Sequence, residues 1–197
     1  MGFVWTHMRW AAAIVLGFTV WTTAAGANEV PRSGPVLGKH ADRMEIRFGG
    51  ALHDRGFLTV HEADGFVVNG ELLFRSPDLL ARLGAPRPYI GASYAFVEDG
   101  ATPVQFIYAG LNWQVHWTER VYTGFSLGGA VNDADLSAGS PNWGLGCNAS
   151  FHLAASAGVD LTDRVSVEIF GDHFSNAELC FSNGGHETAG MRIGVRF

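Results

Sequence analysis

The 197-residue sequence contains one lysine, Lys39, and only two cysteines, Cys147 and Cys180. Basic residues do not cluster anywhere along it, so nothing indicates a nucleic-acid partner. After the first 27 residues there is no apolar run of about 18 residues, which excludes a membrane-spanning helix from that part of the chain. What the sequence does have is 26 glycines and 14 phenylalanines. This composition is typical of a β-rich chain with tight turns and an aromatic surface.

Residues 1–27 have the order of a secretory signal peptide: a short basic segment, an apolar run over 10–21, and small residues. The apolar run is short for a span of about 20 residues, which disfavours the alternative of a membrane anchor. We therefore expect cleavage before Asn28. Residues 28–42 then form an N-terminal periplasmic segment, and residues 43–197 form the folded domain.

From about residue 42 onward, apolar and polar residues alternate with a period of two, which predicts half-buried strands. Eight strands are predicted, at 43–53, 66–74, 87–98, 103–117, 120–132, 145–159, 164–176 and 186–197. Their connections alternate between tight turns and longer loops rich in Gly, Asn, Asp and Ser, as in bacterial outer-membrane barrels. The 75–86 connection departs from this pattern because it is long where a short turn is expected.

The two faces of the strands differ as a small membrane barrel requires. In the fourth strand, apolar residues from Ile107 to Trp117 share one face, and the other face carries Tyr108, Asn112, Gln114 and His116. We expect the charged residues of the polar face to pair inside a filled lumen: Glu45, Arg47, Glu71, Glu168, Asp172, Arg192 and Arg196. A strand that ends on an aromatic residue, Phe197, resembles the C-terminal signal of outer-membrane barrels. The sequence thus predicts an all-β, eight-stranded antiparallel barrel in the bacterial outer membrane.

Three polar residues fall on the apolar face of the last two strands: His173, Ser175 and Glu187. Facing an imidazole and a carboxylate toward hydrocarbon is costly, so such residues are functional candidates. The strand from Glu187 to Phe197 spans roughly 25 Å when tilted, about the height of the apolar band. Both ends of an even-stranded barrel lie on the periplasmic side, so the three residues are expected at the level of the outer leaflet.

These residue types support nucleophilic catalysis. A serine hydroxyl becomes a good nucleophile when a base takes its proton, and histidine is the usual base. His173 and Ser175 lie two apart on one strand, and a cross-strand Glu187 can hold the second imidazole nitrogen. Asn176, Ala177 and nearby backbone amides are candidates for binding an oxyanion or the substrate. The alternative is that His173 and Ser175 are ordinary polar residues of the rim and Glu187 belongs to a loop.

The stretch His173-Phe174-Ser175-Asn176-Ala177, with Glu187 further along, resembles the lipid A 3-O-deacylase (PagL, acyloxyacyl hydrolase) family. Weaker similarity extends over residues 45–49, 86–89 and 108–111. The resemblance implies an eight-stranded outer-membrane barrel that hydrolyses the ester at position 3 of lipid A without a cofactor. It also implies Ser175 as nucleophile, His173 as general base, Glu187 as its orienting carboxylate and Asn176 in the oxyanion site. A glycine often follows this motif in the family, whereas this chain has Glu178.

Other candidates lie near the same rim. Cys147 and Cys180 are expected at neighbouring strand ends, where a disulfide would restrain the loop beside the hairpin; two free thiols are the alternative. No cluster of His and Cys has ligand spacing, so no metal is predicted. His186, next to Glu187, is interpreted as a solvated loop residue, with a modulating role at the site as the alternative. Asp172, which competes with Glu187 to orient His173, is expected to point into the barrel.

Two other functions remain open at this point. A small barrel without enzymatic activity would serve envelope structure or adhesion through its loops. An acyltransferase or a phospholipase would use the same three residues, because the residues alone do not distinguish hydrolysis from transfer. The sequence also leaves open the acyl-chain preference, a possible homodimer, and whether activity is latent in the native membrane.

Overall fold

In the part of the chain that the structure describes, eight long antiparallel strands and one short strand make up the fold. The structure is a computed structural model that describes residues 34–53, 65–97, 103–137 and 145–197, and the expected signal peptide lies outside these residues. The strands are β1 Val36–Leu37, β2 Glu45–His53, β3 Gly65–Leu73, β4 Arg87–Val97, β5 Val104–His116, β6 Val121–Asn132, β7 Ala149–Asp160, β8 Val165–Ser175 and β9 His186–Arg196. Among the described residues, no helix has the length and apolar character needed to cross a membrane.

The sheet closes on itself. Each long strand pairs with its neighbours in the chain, and β9 pairs with β2 through Ile193 opposite Phe48 and the residues around them. The predicted eight-stranded antiparallel barrel is therefore confirmed, with strand ends close to those expected. One start differs by more than two residues: the sixth barrel strand begins at Ala149 and not at residue 145. The reason is local, because Gly146 adopts a left-handed φ of 73° and Cys147 is disulfide-bonded.

Side-chain exposure follows the predicted alternation. On β2, Ile46 is 51% and Phe48 67% exposed, whereas Glu45 and Arg47, which alternate with them, are almost fully buried. On β5, Tyr108, Asn112, Gln114 and His116 are buried as expected. The apolar face thus points outward and the polar face fills the lumen, which is the inverse of a water-soluble β-sandwich.

Ion pairs fill much of the lumen. Arg87 Nη2 lies 2.7 Å from Glu45 Oε2, and Arg196 Nη2 lies 2.6 Å from Asp160 Oδ1. Arg192 Nη1 lies 2.9 Å from Glu71 Oε1, and Arg192 Nε also donates to Glu168. Charges buried in a barrel of this width require such partners, because burial removes most of their contact with bulk water.

A short β1 and a 3-10 helix lie at the end with the tight turns, which is the periplasmic end in barrels of this type. Val36 and Leu37 pair with the end of β5, and the 3-10 helix Asp78–Leu83 occupies the long 75–86 connection. The indole of the outward-facing Trp113 donates to the carbonyl of Leu83 at 2.9 Å. The helix therefore lies against the apolar outer surface with Leu79 and Leu83 exposed. This placement explains why the connection is longer than a turn.

Candidate active site

The hairpin of β8 and β9 brings a histidine and a glutamate together on the outer surface. His173 pairs directly with Glu187 across the two strands, so both side chains leave the same face of the sheet. His173 Nδ1 lies 2.9 Å from Glu187 Oε1. With the Nδ1 proton directed at the carboxylate, Nε2 keeps its lone pair and is the nitrogen that can act as a base. Glu187 is 6% exposed although it belongs to the lipid-facing set.

Ser175 is the last residue of β8 and lies on the same face as His173. Exposure along β8 alternates without a break up to this position, and Ser175 itself is half-buried. Two positions along a strand correspond to about 6.6 Å, a gap that an imidazole extending along the strand can bridge. Both residues pair with β7, Ser175 with Phe151 and His173 with Leu153. The face therefore continues into an apolar, lipid-facing wall.

Phe174 lies between these two residues and points the opposite way, into the lumen. It is 1% exposed, and its ring centroid lies 4.4 Å from that of Phe106 and 4.7 Å from that of His152. Packed aromatic rings fix the direction of the β-strand that carries them. The lumen cluster therefore orients the two outward side chains on either side of Phe174.

The expected inward direction of Asp172 agrees with the structure: the carboxylate is buried, and its Oδ1 lies 3.3 Å from Nε2 of His152 in the lumen. The interpretation of His186 as a solvated loop residue is wrong. His186 is the first residue of β9, is 5% exposed, and stacks on Phe106 with ring centroids 4.8 Å apart. The signal was strand parity: the predicted last strand begins at residue 186, and an outward Glu187 implies an inward His186.

Asn176 turns away from the outer face and ties two loops together. Its Nδ2 donates to the carbonyls of Leu145 and Ser182, at 2.8 and 2.5 Å. Its backbone N–H donates to Oδ1 of Asn183 at 2.9 Å, a contact that the sequence did not indicate. The Asn176 amide, expected near an oxyanion, thus has both of its N–H groups engaged by the loops.

A disulfide joins the same two loops. Cys147 and Cys180 are bonded, with their Cα atoms 6.0 Å apart. Gly146 next to it allows the loops to meet, because a Cβ there would overlap the Ser182 carbonyl, and its φ of 73° is one that glycine tolerates best. The segment after Ser175 is therefore held by a covalent bond and by the Asn176 amide.

The chain reverses immediately after the motif. Ala177 and Glu178 have φ values of 52° and 63°, and the Leu179 N–H donates to the Asn176 carbonyl at 3.1 Å. Two successive left-handed residues and this bond define a type I′ turn, which ordinarily has Gly at its second central position. Position 178 is where the family often has glycine, so the departure seen in the sequence is also a site of backbone strain.

We expect Glu178→Gly to stabilise the protein by about 1 kcal/mol, because a non-glycine residue in the left-handed region costs about 1–2 kcal/mol and glycine loses part of that gain to chain entropy. Urea unfolding in detergent micelles, followed by tryptophan fluorescence, measures the effect. Glu178→Ala is the control, since it removes the carboxylate and keeps the left-handed cost. Equal unfolding midpoints for the glycine and alanine variants would contradict the assignment of strain to this residue.

An outward-facing groove of about 210 Å³ begins at the histidine and glutamate. Small residues form its floor, because Gly171 pairs with Ala155 on one side and Ala189 on the other. Phe125 and Leu153 form part of its wall. The groove therefore runs along the lipid-facing surface from the polar site toward the middle of the apolar band.

The fold and this hairpin define a class, a transmembrane β-barrel with a polar site on its lipid-facing surface. The family model "Lipid A 3-O-deacylase (PagL)" matches residues 84–196, more than half of the chain. The chain therefore belongs to the lipid A 3-O-deacylase (PagL) family. No curated protein matches the chain.

Two solved structures support the fold. The crystal structure of the outer membrane enzyme PagL superposes with a TM-score of 0.53 at 16% identity, covering 77% of this chain and 98% of that one. Neisserial surface protein A superposes with a TM-score of 0.55 at 12% identity, covering 78% and 97%. At these identities the two structures show a shared barrel fold. With the family match, they make this chain a protein of the bacterial outer membrane.

Proposed function

We propose that the protein is a serine esterase that hydrolyses the 3-O-linked hydroxyacyl chain of lipid A. The observation that carries the proposal is the 2.9 Å contact between His173 Nδ1 and Glu187 Oε1 on the lipid-facing surface, beside Ser175. Membership of the lipid A 3-O-deacylase family supports the same substrate. A site of this polarity in contact with hydrocarbon has no evident structural purpose.

The proposed reaction proceeds in two steps. His173 Nε2 takes the Ser175 proton as Oγ attacks the ester carbonyl, and Glu187 stabilises the imidazolium through Nδ1. The proton then passes to the departing alcohol oxygen of lipid A, which leaves an acyl-serine. Water, deprotonated by His173, attacks that ester, and the free hydroxy acid and Ser175 are released.

The oxyanion of the tetrahedral intermediate needs donors near Ser175. Because Asn176 uses its side-chain donors on the loops, we assign this role to the Ala177 backbone N–H, in the left-handed turn. Asn183, whose Oδ1 holds the Asn176 N–H, brings a second amide to the same segment. Asn176 then acts as a positioning residue that holds the turn in place.

The groove beside His173 suits the acyl chain of the substrate. It starts at the reacting groups and is floored by Gly171, Ala155 and Ala189, so a hydrocarbon chain can lie against the barrel with its ester at Ser175. Each methylene that the chain buries there contributes about 0.8 kcal/mol. Binding energy collected along the chain would thus hold the ester in place for attack.

Filling the groove tests this role. A Cβ at Gly171 would meet only the Thr188 carbonyl, at 3.4 Å, so Gly171→Leu fits the backbone and places its side chain in the groove. We expect deacylation to fall by about 100-fold, the cost of misplacing a substrate by about 1 Å. Ala157→Leu, also outward on β7 but not part of the groove lining, is the control. Equal activity of the two variants would show that the acyl chain binds elsewhere.

Mass spectrometry of lipid A decides the main proposal. The protein is expressed in a host whose lipid A carries a 3-O-linked hydroxyacyl chain, and lipid A is compared with that of cells carrying the empty vector. Loss of the mass of one hydroxyacyl group, with the free acid recovered, is the expected result. An unchanged lipid A profile, with folded barrel in the outer membrane, would refute the proposal.

Two other functions predict different results. The first alternative is a barrel without enzymatic activity, which the structural similarity to Neisserial surface protein A also allows. It predicts that a fluorophosphonate probe does not label Ser175. An acyltransferase or a phospholipase predicts labelling, but the released chain appears on another lipid or comes from a glycerophospholipid. Purified lipid A and phospholipid, supplied separately, distinguish these outcomes.

A further inference from the structure

Two histidines and an aspartate from distant parts of the chain meet at the periplasmic end of the lumen. His40 precedes β2, His116 ends β5 and Asp160 ends β7. Asp160 Oδ2 lies 2.9 Å from His40 Nε2 and 3.1 Å from His116 Nε2. All three side chains are buried, at the end of the barrel opposite the hairpin of His173 and Glu187.

The donor set is that of a transition-metal site. The three ligand atoms lie within 4.8 Å of one another. In a tetrahedral zinc site, ligand atoms bonded at 2.0–2.2 Å lie about 3.4 Å apart, so small side-chain rotations are enough to admit the ion. Imidazole nitrogen together with a carboxylate oxygen suits zinc and its neighbours in the first transition row. We propose that His40, His116 and Asp160 bind a divalent transition-metal cation of the zinc type.

The charge of the lumen favours a cation. Among the described residues, five buried lumen carboxylates face four buried guanidinium groups: Glu45, Glu71, Asp160, Glu168 and Asp172 against Arg47, Arg87, Arg192 and Arg196. Arg196 binds Asp160 through Oδ1, which leaves Oδ2 directed at the two histidines. A cation at Oδ2 offsets the excess negative charge without competing for the atom that Arg196 holds.

A cavity leads to the carboxylate of the cluster. Asp160 lines a cavity of about 150 Å³, which is also bordered by Lys39, Glu119 and Arg120 from the periplasmic side. The ammonium group of Lys39 lies 3.4 Å from Glu119 Oε2, so its charge is partly offset at the opening. A hydrated ion can therefore reach Asp160 from the periplasm, and the cavity leaves room for water as a fourth ligand.

A bound ion would connect the segment before β2 to two strands on the far side of the barrel. Without metal, that segment is held there by β1 and by the hydrogen bond of His40 to Asp160. Because a metal that binds only the folded state adds its binding free energy to that state, the ion stabilises the periplasmic end of the barrel. This proposal does not depend on the esterase activity.

Zinc titration tests the site. Tag-free barrel, stripped with EDTA and folded in detergent, is titrated with Zn²⁺ by calorimetry, and with Co²⁺ by its visible absorption. We expect one ion per barrel and a Co²⁺ spectrum of the tetrahedral type. His40→Ala lies outside the long strands and should lower the affinity by about 100-fold. Zinc should raise the melting temperature of the parent protein and leave that of His40→Ala unchanged.

Controls separate this site from other histidines. His53→Ala changes a buried histidine at the opposite end of the lumen, and His173→Ala changes the outer-surface histidine; both should keep full zinc binding. His116→Gln provides a second ligand variant in case His40→Ala perturbs folding. The absence of zinc binding in the parent, or equal binding by His40→Ala and His116→Gln, would overturn the proposal. The cluster would then be a hydrogen-bond network between neutral histidines and Asp160.

Discussion

Ser175→Ala is expected to abolish lipid A deacylation, with a loss on the order of 10⁶-fold, as for the nucleophile of a comparable serine hydrolase. The variant removes the atom that forms the acyl intermediate. It leaves untouched both the contact of His173 with Glu187 and the aromatic packing of Phe174 in the lumen. The barrel should therefore fold normally, with unchanged heat-modifiable migration on gels. Release of free hydroxy acid from purified lipid A, measured over time, gives the rate.

His173→Ala should cause a loss of similar size, and the double variant should be no worse than either single one, because residues acting as a unit are not additive. Ser182→Ala is the matched control. It changes a half-buried serine of the adjoining loop, whose contribution to that loop is its backbone carbonyl. Full activity of Ser175→Ala or His173→Ala would show that the assigned roles are wrong. So would a loss in the Ser182 variant equal to theirs.

Strand parity is the part of the site that could be predicted. The side-chain period of a strand is two, so an outward Ile169 implies an outward His173 and an inward Asp172, and the exposure along β8 follows that alternation. Cross-strand pairing with Glu187 depends on the hairpin register. That register agrees with the apolar face of β9, which runs out to Val195. Local alternation and the global barrel thus support the same orientation.

The direction of Asn176 could not be predicted, because it lies beyond the last strand residue, where alternation ends. Its two hydrogen bonds depend on where Leu145 and Ser182 meet, and that requires both loops to be placed. The left-handed backbone conformation of Ala177 and Glu178 could not be predicted either, because neither residue is a usual signal for a type I′ turn.

The cluster of His40, His116 and Asp160 shows a second limit. Spacing rules for metal sites detect ligands on one element or in one loop, and the three residues of the proposed site belong to the segment before β2, to β5 and to β7. Only closure of the barrel brings the ends of β5 and β7 to the same rim. The prediction of no metal followed from sequence spacing, which carries no information on such contacts.

Arg192→Met is expected to destabilise the barrel by about 3–5 kcal/mol, the cost of leaving a buried charge without its partner. Arg192 Nη1 lies 2.9 Å from Glu71 Oε1, and Nε donates to Glu168. Without these contacts, both glutamates would rely for charge compensation on Arg47, whose Nη1 lies 3.6 Å from Glu71 and 3.4 Å from Glu168. One guanidinium group cannot replace two at those distances. Reversible urea unfolding in lipid vesicles measures the difference.

Two comparisons identify charge as the cause. Arg120→Met removes an exposed arginine at the periplasmic turn and should change stability by less than about 0.5 kcal/mol. Glu168→Gln added to Arg192→Met removes one of the two carboxylates left without Arg192, and should recover part of the lost free energy of unfolding. Recovery is expected to be incomplete, because Glu71 remains a carboxylate and has lost the Arg192 guanidinium group that lies 2.9 Å from it in the parent. If the double variant recovered no stability relative to Arg192→Met alone, charge would not be the cause, and the lost packing of Arg192 over the Phe170 ring would be the alternative.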